Sequence, residues 1–213
     1  MSSPRTATPQ AVIAADDLEG CYHGGPEPAV RGVSFRLAPG EGLLGSGRAG
    51  AGKTSLLRGV LGLVAHRGAL SVLDAPVGDP SVRGRVGYGP QGVTFAAEMR
   101  VIEVVRTVTR VRGVTDARAA ADDALARAGL QFVGDWRTAR LDAEGYRRLS
   151  LALAVAGDPD LVVMDDPWVL SDTLREIAAA RARGAAVLVA TQRPAGIGPA
   201  LGRRIRLIDG TPA

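Results

Sequence analysis

One stretch, Gly47-Arg48-Ala49-Gly50-Ala51-Gly52-Lys53-Thr54, fits the pattern G-x-x-x-x-G-K-[ST] without a mismatch. Its glycines let the backbone curl until consecutive N–H groups point inward at phosphate oxygens. A helix opening directly afterwards offers its positive N-terminus to the same anion. In such a loop Lys53 reaches the β- and γ-phosphates, the Thr54 hydroxyl ligates Mg²⁺, and Ser55 completes the binding segment. The competing reading is a glycine-rich turn with a chance lysine. A strand-like run before it and a helical run after it favour the phosphate cradle. Lys53 is also the only lysine among 26 basic residues.

A second group of residues could do chemistry with the first. Leu161-Val162-Val163-Met164-Asp165-Asp166 is an apolar run ending in two acids. After a buried strand, the first carboxylate can hold Mg²⁺ through water and the second can polarise an attacking water. A buried strand merely capped by acids is the plain alternative; the upstream phosphate loop favours the catalytic one. Guanine readers use N-K-x-D, and this chain has no asparagine and no second lysine. No arginine lid or acceptor site of a small-molecule kinase is recognisable.

These groups need strands and helices to carry them. Short β-like runs fall at 11–15, 33–37, 42–46, 69–73 and 85–88, bounded by Gly and Pro. A helix is expected from Gly52 to about Leu63, with Leu56, Leu57, Val60 and Leu61 at helical spacing. Residues 101–130 read as helical with an N-cap at Thr115, and Tyr146 to Ala156 as a further helix. The unbroken apolar runs 161–164 and 186–190 suit fully buried parallel strands, joined by a helix over 173–183. The expectation is a disordered tail over 1–10, then one α/β domain over 11–213 with a helical lobe near 93–157.

Composition narrows the function classes. The 213 residues are 46% hydrophobic, enough for a real core. No apolar run approaches the roughly 20 residues that cross a bilayer, and a single cysteine, Cys21, permits no intrachain disulfide. A cytoplasmic protein without a secretion signal is expected. A pI near 9.9 raises nucleic-acid binding, but the arginines are interleaved with acids and no aromatic residues are spaced for base stacking. Nucleic acid is therefore not the expected partner.

In order and spacing these motifs resemble the ATP-binding cassette family along nearly the whole chain. Tyr22 stands where that family stacks an aromatic on adenine. Val86-Gly87-Tyr88-Gly89-Pro90-Gln91 is similar to its Q-loop, whose glutamine senses Mg²⁺ and faces the membrane subunit. Asp172, six residues after Asp166, matches the D-loop aspartate. The resemblance implies a P-loop NTPase of α/β class with a RecA-like core, an antiparallel β subdomain and a helical subdomain. It implies ATP and Mg²⁺ as ligands, a transmembrane permease as partner, and a place on the inner face of the cell membrane, with an export-type system favoured.

Three positions depart from the family, and all concern hydrolysis. The second acid after the strand is normally Glu; here it is Asp166. Losing one methylene withdraws the carboxylate by roughly 1.5 Å, and a misplacement of about 1 Å can lower a rate some 10²-fold. The switch position, normally His, is Gln192, which can hydrogen-bond a γ-phosphate but cannot become cationic. The signature loop L-S-G-G-Q becomes Leu141-Asp142-Ala143-Glu144-Gly145. In the family this loop clasps the partner cassette's γ-phosphate. A carboxylate about 4 Å from a phosphate oxygen is repelled by about 4 kcal/mol at an effective dielectric near 20. The alternative reading of Asp142 is a helix cap. These departures imply weak or partner-dependent hydrolysis, and a second cassette more readily different than identical. The alternative is a nucleotide-gated regulatory subunit with little ATPase activity.

Overall fold

The computed structural model describes residues 11–21, 27–92, 95–167 and 171–213. The expected tail over 1–10 and Tyr22 lie outside the described residues.

The chain opens with β1 (Ile13–Cys21) and β2 (Val30–Leu37), antiparallel neighbours, and then runs into β3 (Gly42–Ser46). α1 (Lys53–Val60) follows the phosphate loop and ends three residues before the expected Leu63. β4 (Ala65–Val72) and the short β5 (Ala75–Pro76) return to β1, completing a four-stranded antiparallel sheet of order β2-β1-β4-β5.

β6 (Val86–Gly89) leads into three helices, α2 (Val101–Val111), α3 (Ala117–Arg127) and α4 (Ala143–Val155). The cap of α3 is Asp116, one residue after the expected Thr115, because the Asp116 carboxylate accepts the Ala119 N–H at 2.9 Å. α4 begins at Ala143, not Tyr146. Asp142 supplies the missing turn: its Oδ1 accepts the Gly145 N–H at 2.7 Å and so starts the helix early.

β7 (Leu161–Asp165), α5 (Ser171–Ala182) and β8 (Ala186–Thr191) then form the expected βαβ unit. The short α6 (Gly198–Leu201), β9 (Gly202–Ile208) and β10 (Thr211–Pro212) complete the described elements. The second sheet has order β10-β9-β3-β8-β7-β6, parallel throughout except for β10. Its central strands are buried on both faces. Val162, Met164, Val187 and Val189 face the helices; Leu161, Val163, Ala186 and Leu188 face α1 and the antiparallel sheet. This is why those strands read as continuous apolar runs.

Candidate functional site

β3, buried at all five residues, delivers the chain to Gly47 at the carboxyl ends of the parallel strands. The loop that follows is tightly walled. A Cβ on Gly47 would lie 2.5 Å from the Leu207 carbonyl oxygen. Gly52 adopts φ 91°, and a Cβ there would lie 2.6 Å from the Ala29 carbonyl oxygen. No L side chain satisfies both conditions at Gly52. Lys53 is buried as the first residue of α1, and its Nζ reaches back to the Arg48 carbonyl at 2.7 Å. Burial pushes its ammonium below the ordinary lysine range, against the opposite pull of the Asp166 and Asp165 carboxylates.

The acid pair comes to the same place. Thr54 Oγ1 donates to Asp165 Oδ1 at 3.2 Å, joining the start of α1 to the end of β7. Asp165 is only 4% exposed, and burial raises its carboxyl above the usual range, with the Thr54 hydrogen bond opposing that rise. Asp166 sits in the left-handed region at φ 46°, which Asp tolerates better than most residues. Its N–H donates to the Ala190 carbonyl at 2.7 Å. Its Oδ1 accepts the Thr191 hydroxyl at 2.7 Å and the Gln192 N–H at 3.3 Å. Its Oδ2 accepts Gln91 Nε2 at 3.2 Å. Gln91 and the 191–192 segment therefore meet on one carboxylate.

Lys53, Thr54, Gln91, Asp165, Asp166 and Gln192 share one cleft of about 590 Å³, with Ala49, Gly50, Gly52 and Ser55 of the loop. Its lining also includes Ala29, Asp209 and Gly210, which sequence motifs did not mark. Asp209 and Gly210 form a turn with positive φ at both residues, 47° and 83°, the signature of an Asp-Gly hairpin. Thr191 was missed as well. The available signal was a hydroxyl at the end of a fully apolar strand, 2% exposed beside two acids.

A hydroxyl, a desolvated carboxylate and an amide form an all-oxygen donor set of the kind Mg²⁺ takes. Thr54, Asp165 and Gln91 would hold the ion. A cation there would stabilise the charged form of Asp165, which burial disfavours. The curled loop and Lys53 suit a polyphosphate at the N-terminus of α1.

Residues 141–145 and Asp172 do not line this cleft. The segment expected as a signature loop is largely helix: Ala143, Glu144 and Gly145 are the first turn of α4. Asp142 is its cap, and Glu144 pairs with Arg148 at 2.9 Å. Arg148 also binds Asp172 at 2.8 Å, which links α4 to α5. The repulsion expected from two free acids is therefore reduced, since both carboxylates already have partners within the chain.

The family model for ABC transporter matches residues 30–169. The chain belongs to the ABC transporter family, as an ATP-binding cassette. It is 37% identical over 166 residues to the Nod factor export ATP-binding protein I of Paraburkholderia xenovorans, covering 75% of this chain and 53% of that one. It is 31% identical over 222 residues to the lipoprotein-releasing system ATP-binding protein LolD 1 of Caulobacter vibrioides, covering 93% of each. The chain thus spans about half the length of the first relative and nearly all of the second. The solved dimeric ATP-binding cassette in a post-hydrolysis state, bound to ADP and Pi, superposes with a TM-score of 0.82 at 20% identity, covering 94% of this chain and 96% of that one. That likeness shows the shared α/β cassette fold. Among the described residues, no helix of the cassette is long and apolar enough to cross a membrane.

Proposed function

We propose that this cassette binds Mg-ATP in the cleft between α1 and β7 and couples it to a separate transmembrane permease, with hydrolysis slow or dependent on a partner. The observation that carries the reading is the meeting of Lys53, Thr54 and Asp165 with Asp166 and Gln91 in one cleft. Backbone N–H groups and Lys53 bind the phosphates, and Thr54, Asp165 and Gln91 orient the ion. Asp166 is the group nearest to acting as base, with Gln192 at the γ-phosphate side. Adenine stacking on Tyr22 completes the proposal. The near full-length correspondence with a lipoprotein-releasing system protein supports an export-type role at the inner face of the membrane.

Calorimetric titration with ATP in excess magnesium tests it. The wild-type chain binds and Lys53→Ala does not; equal affinity in both overturns the assignment.

The partner cassette is more readily a different chain than a second copy. The Gly145 N–H at the head of α4, one donor a phosphate would need, is already taken by the Asp142 carboxylate. A regulatory subunit that binds nucleotide without turning it over is the second reading. It is favoured by Asp166, whose short side chain already accepts three hydrogen bonds.

A further inference from the structure

β6 lies against α4 more closely than side chains allow. A Cβ on Gly87 would come 1.9 Å from the Ala154 carbonyl oxygen, and one on Gly89 would come 2.7 Å from that of Ser150. The two glycines therefore seat the strand directly on the backbone of the helix. At the end of that seat, Ser150 Oγ donates to the Pro90 carbonyl at 2.8 Å. Pro90 immediately precedes Gln91. A carboxylate can only accept, so the amide nitrogen of Gln91 must face Asp166. That leaves Gln91 Oε1, the atom a hard cation takes, for the cleft.

We propose that Ser150 is a positioning residue for Gln91: its hydroxyl anchors the Pro90 carbonyl and thereby fixes how Oε1 is presented to the metal position. Ser150 lies on α4 and does not line the cleft. Its consequence is that the orientation of α4, the helix headed by Asp142, is read at the metal position through two consecutive residues. The proposal rests on the Mg-ATP reading for its functional consequence, but its geometric content does not.

Two measurements on the full chain separate the two. The first needs no nucleotide. In the ligand-free protein the Gln91 side-chain amide resonances, assigned by NMR, shift in Ser150→Ala and in Gly89→Ala, whose added Cβ forces β6 off α4. Resonances unmoved in both variants overturn the proposal, whatever the protein binds. The second compares ATP affinity by calorimetry in excess magnesium and in EDTA. Ser150→Ala loses about five-fold of the magnesium-dependent gain, the size of one neutral hydrogen bond, and keeps the wild-type affinity in EDTA. An undiminished magnesium gain overturns the proposal, as does an equal loss in EDTA, because the effect would then act on the phosphate loop. Failure of the wild type to bind ATP under either condition overturns the Mg-ATP reading and leaves the resonance test to decide on Ser150.

Discussion

The Thr191 hydroxyl donates to Asp166 at 2.7 Å, tying the last residue of β8 to the residue that follows β7. Together with the Gln192 N–H and the Gln91 amide, it holds a side chain that is already one methylene short. Wild-type turnover is therefore expected well below the roughly 1 per second at the low end of ordinary enzymes.

Asp166→Glu combined with Gln192→His should raise turnover, because the carboxylate regains reach and the switch position gains a group that can become cationic. It should also cost up to about 1 kcal/mol of stability, since φ 46° at this position suits Asp better than Glu. Steady-state ATPase rates and urea denaturation of the double variant check both halves. No gain in rate with ATP affinity intact would refute the first.

Arg127 is expected to be the most sensitive ion-pair position in the helical region. Its guanidinium holds Glu176 at 2.6 Å and Asp158 at 2.9 Å, and the Glu176 side chain is only 4% exposed. Arg127→Met leaves the buried Glu176 carboxylate with only the longer Arg175 contact at 3.5 Å and should cost up to about 3 kcal/mol, whereas Arg127→Met with Glu176→Leu should recover most of that. Urea denaturation of the single and double variants measures it. Similar losses in both would mean that the packing, not the stranded charge, matters.

Asp142 carries two separable roles. Asp142→Ala should lower stability by about 1 kcal/mol through loss of the Gly145 cap, while Asp142→Ser keeps a cap and should be near neutral. The serine variant, which loses the carboxylate's charge and gains a hydroxyl able to donate to a phosphate, should also self-associate more strongly on adding Mg-ATP. Thermal unfolding and sizing with and without nucleotide read the two effects. A tight ATP-dependent dimer of the wild type would overturn the preference for a different partner.

Asp172 gives a pH signature. The hydrogen bond from Arg148, and then that from Arg175, hold its carboxyl below the ordinary carboxylate range. The charged form therefore stabilises the fold above about pH 4, and this contribution is lost as pH falls through the lowered folded-state value. Wild type and Asp172→Asn should differ fully above about pH 4 and converge on further acidification. A gap that is independent of pH down to the acid limit of folding would rule out this origin.

The phosphate loop and the acid pair were legible because their chemistry is tied to residue type. Only glycine fits at Gly52, and β7 must be apolar on both faces to lie inside the sheet. β9 was not legible. Three of its seven residues are arginine, and its register is set by pairing with β3, which no local pattern reports. Asp142 shows a different limit. Residue type allowed a cap and a phosphate contact equally, and only the position of the Gly145 N–H decides that its carboxylate is engaged within its own helix. The contacts of Thr191 and Ser150 were not legible because each is made with a residue distant in sequence, Asp166 and Pro90.

The wall of the phosphate loop comes from far along the chain. Leu207 closes on Gly47, and Gly210 lies 3.3 Å from where a Cβ of Gly52 would stand. A ribosome releases the loop long before it releases those residues. While the chain is being made, the loop lacks the contacts that shape it, and nucleotide has no finished cradle to stabilise. On the Mg-ATP reading, a chain cut before the Asp209-Gly210 turn should therefore lose its ATP affinity together with this wall.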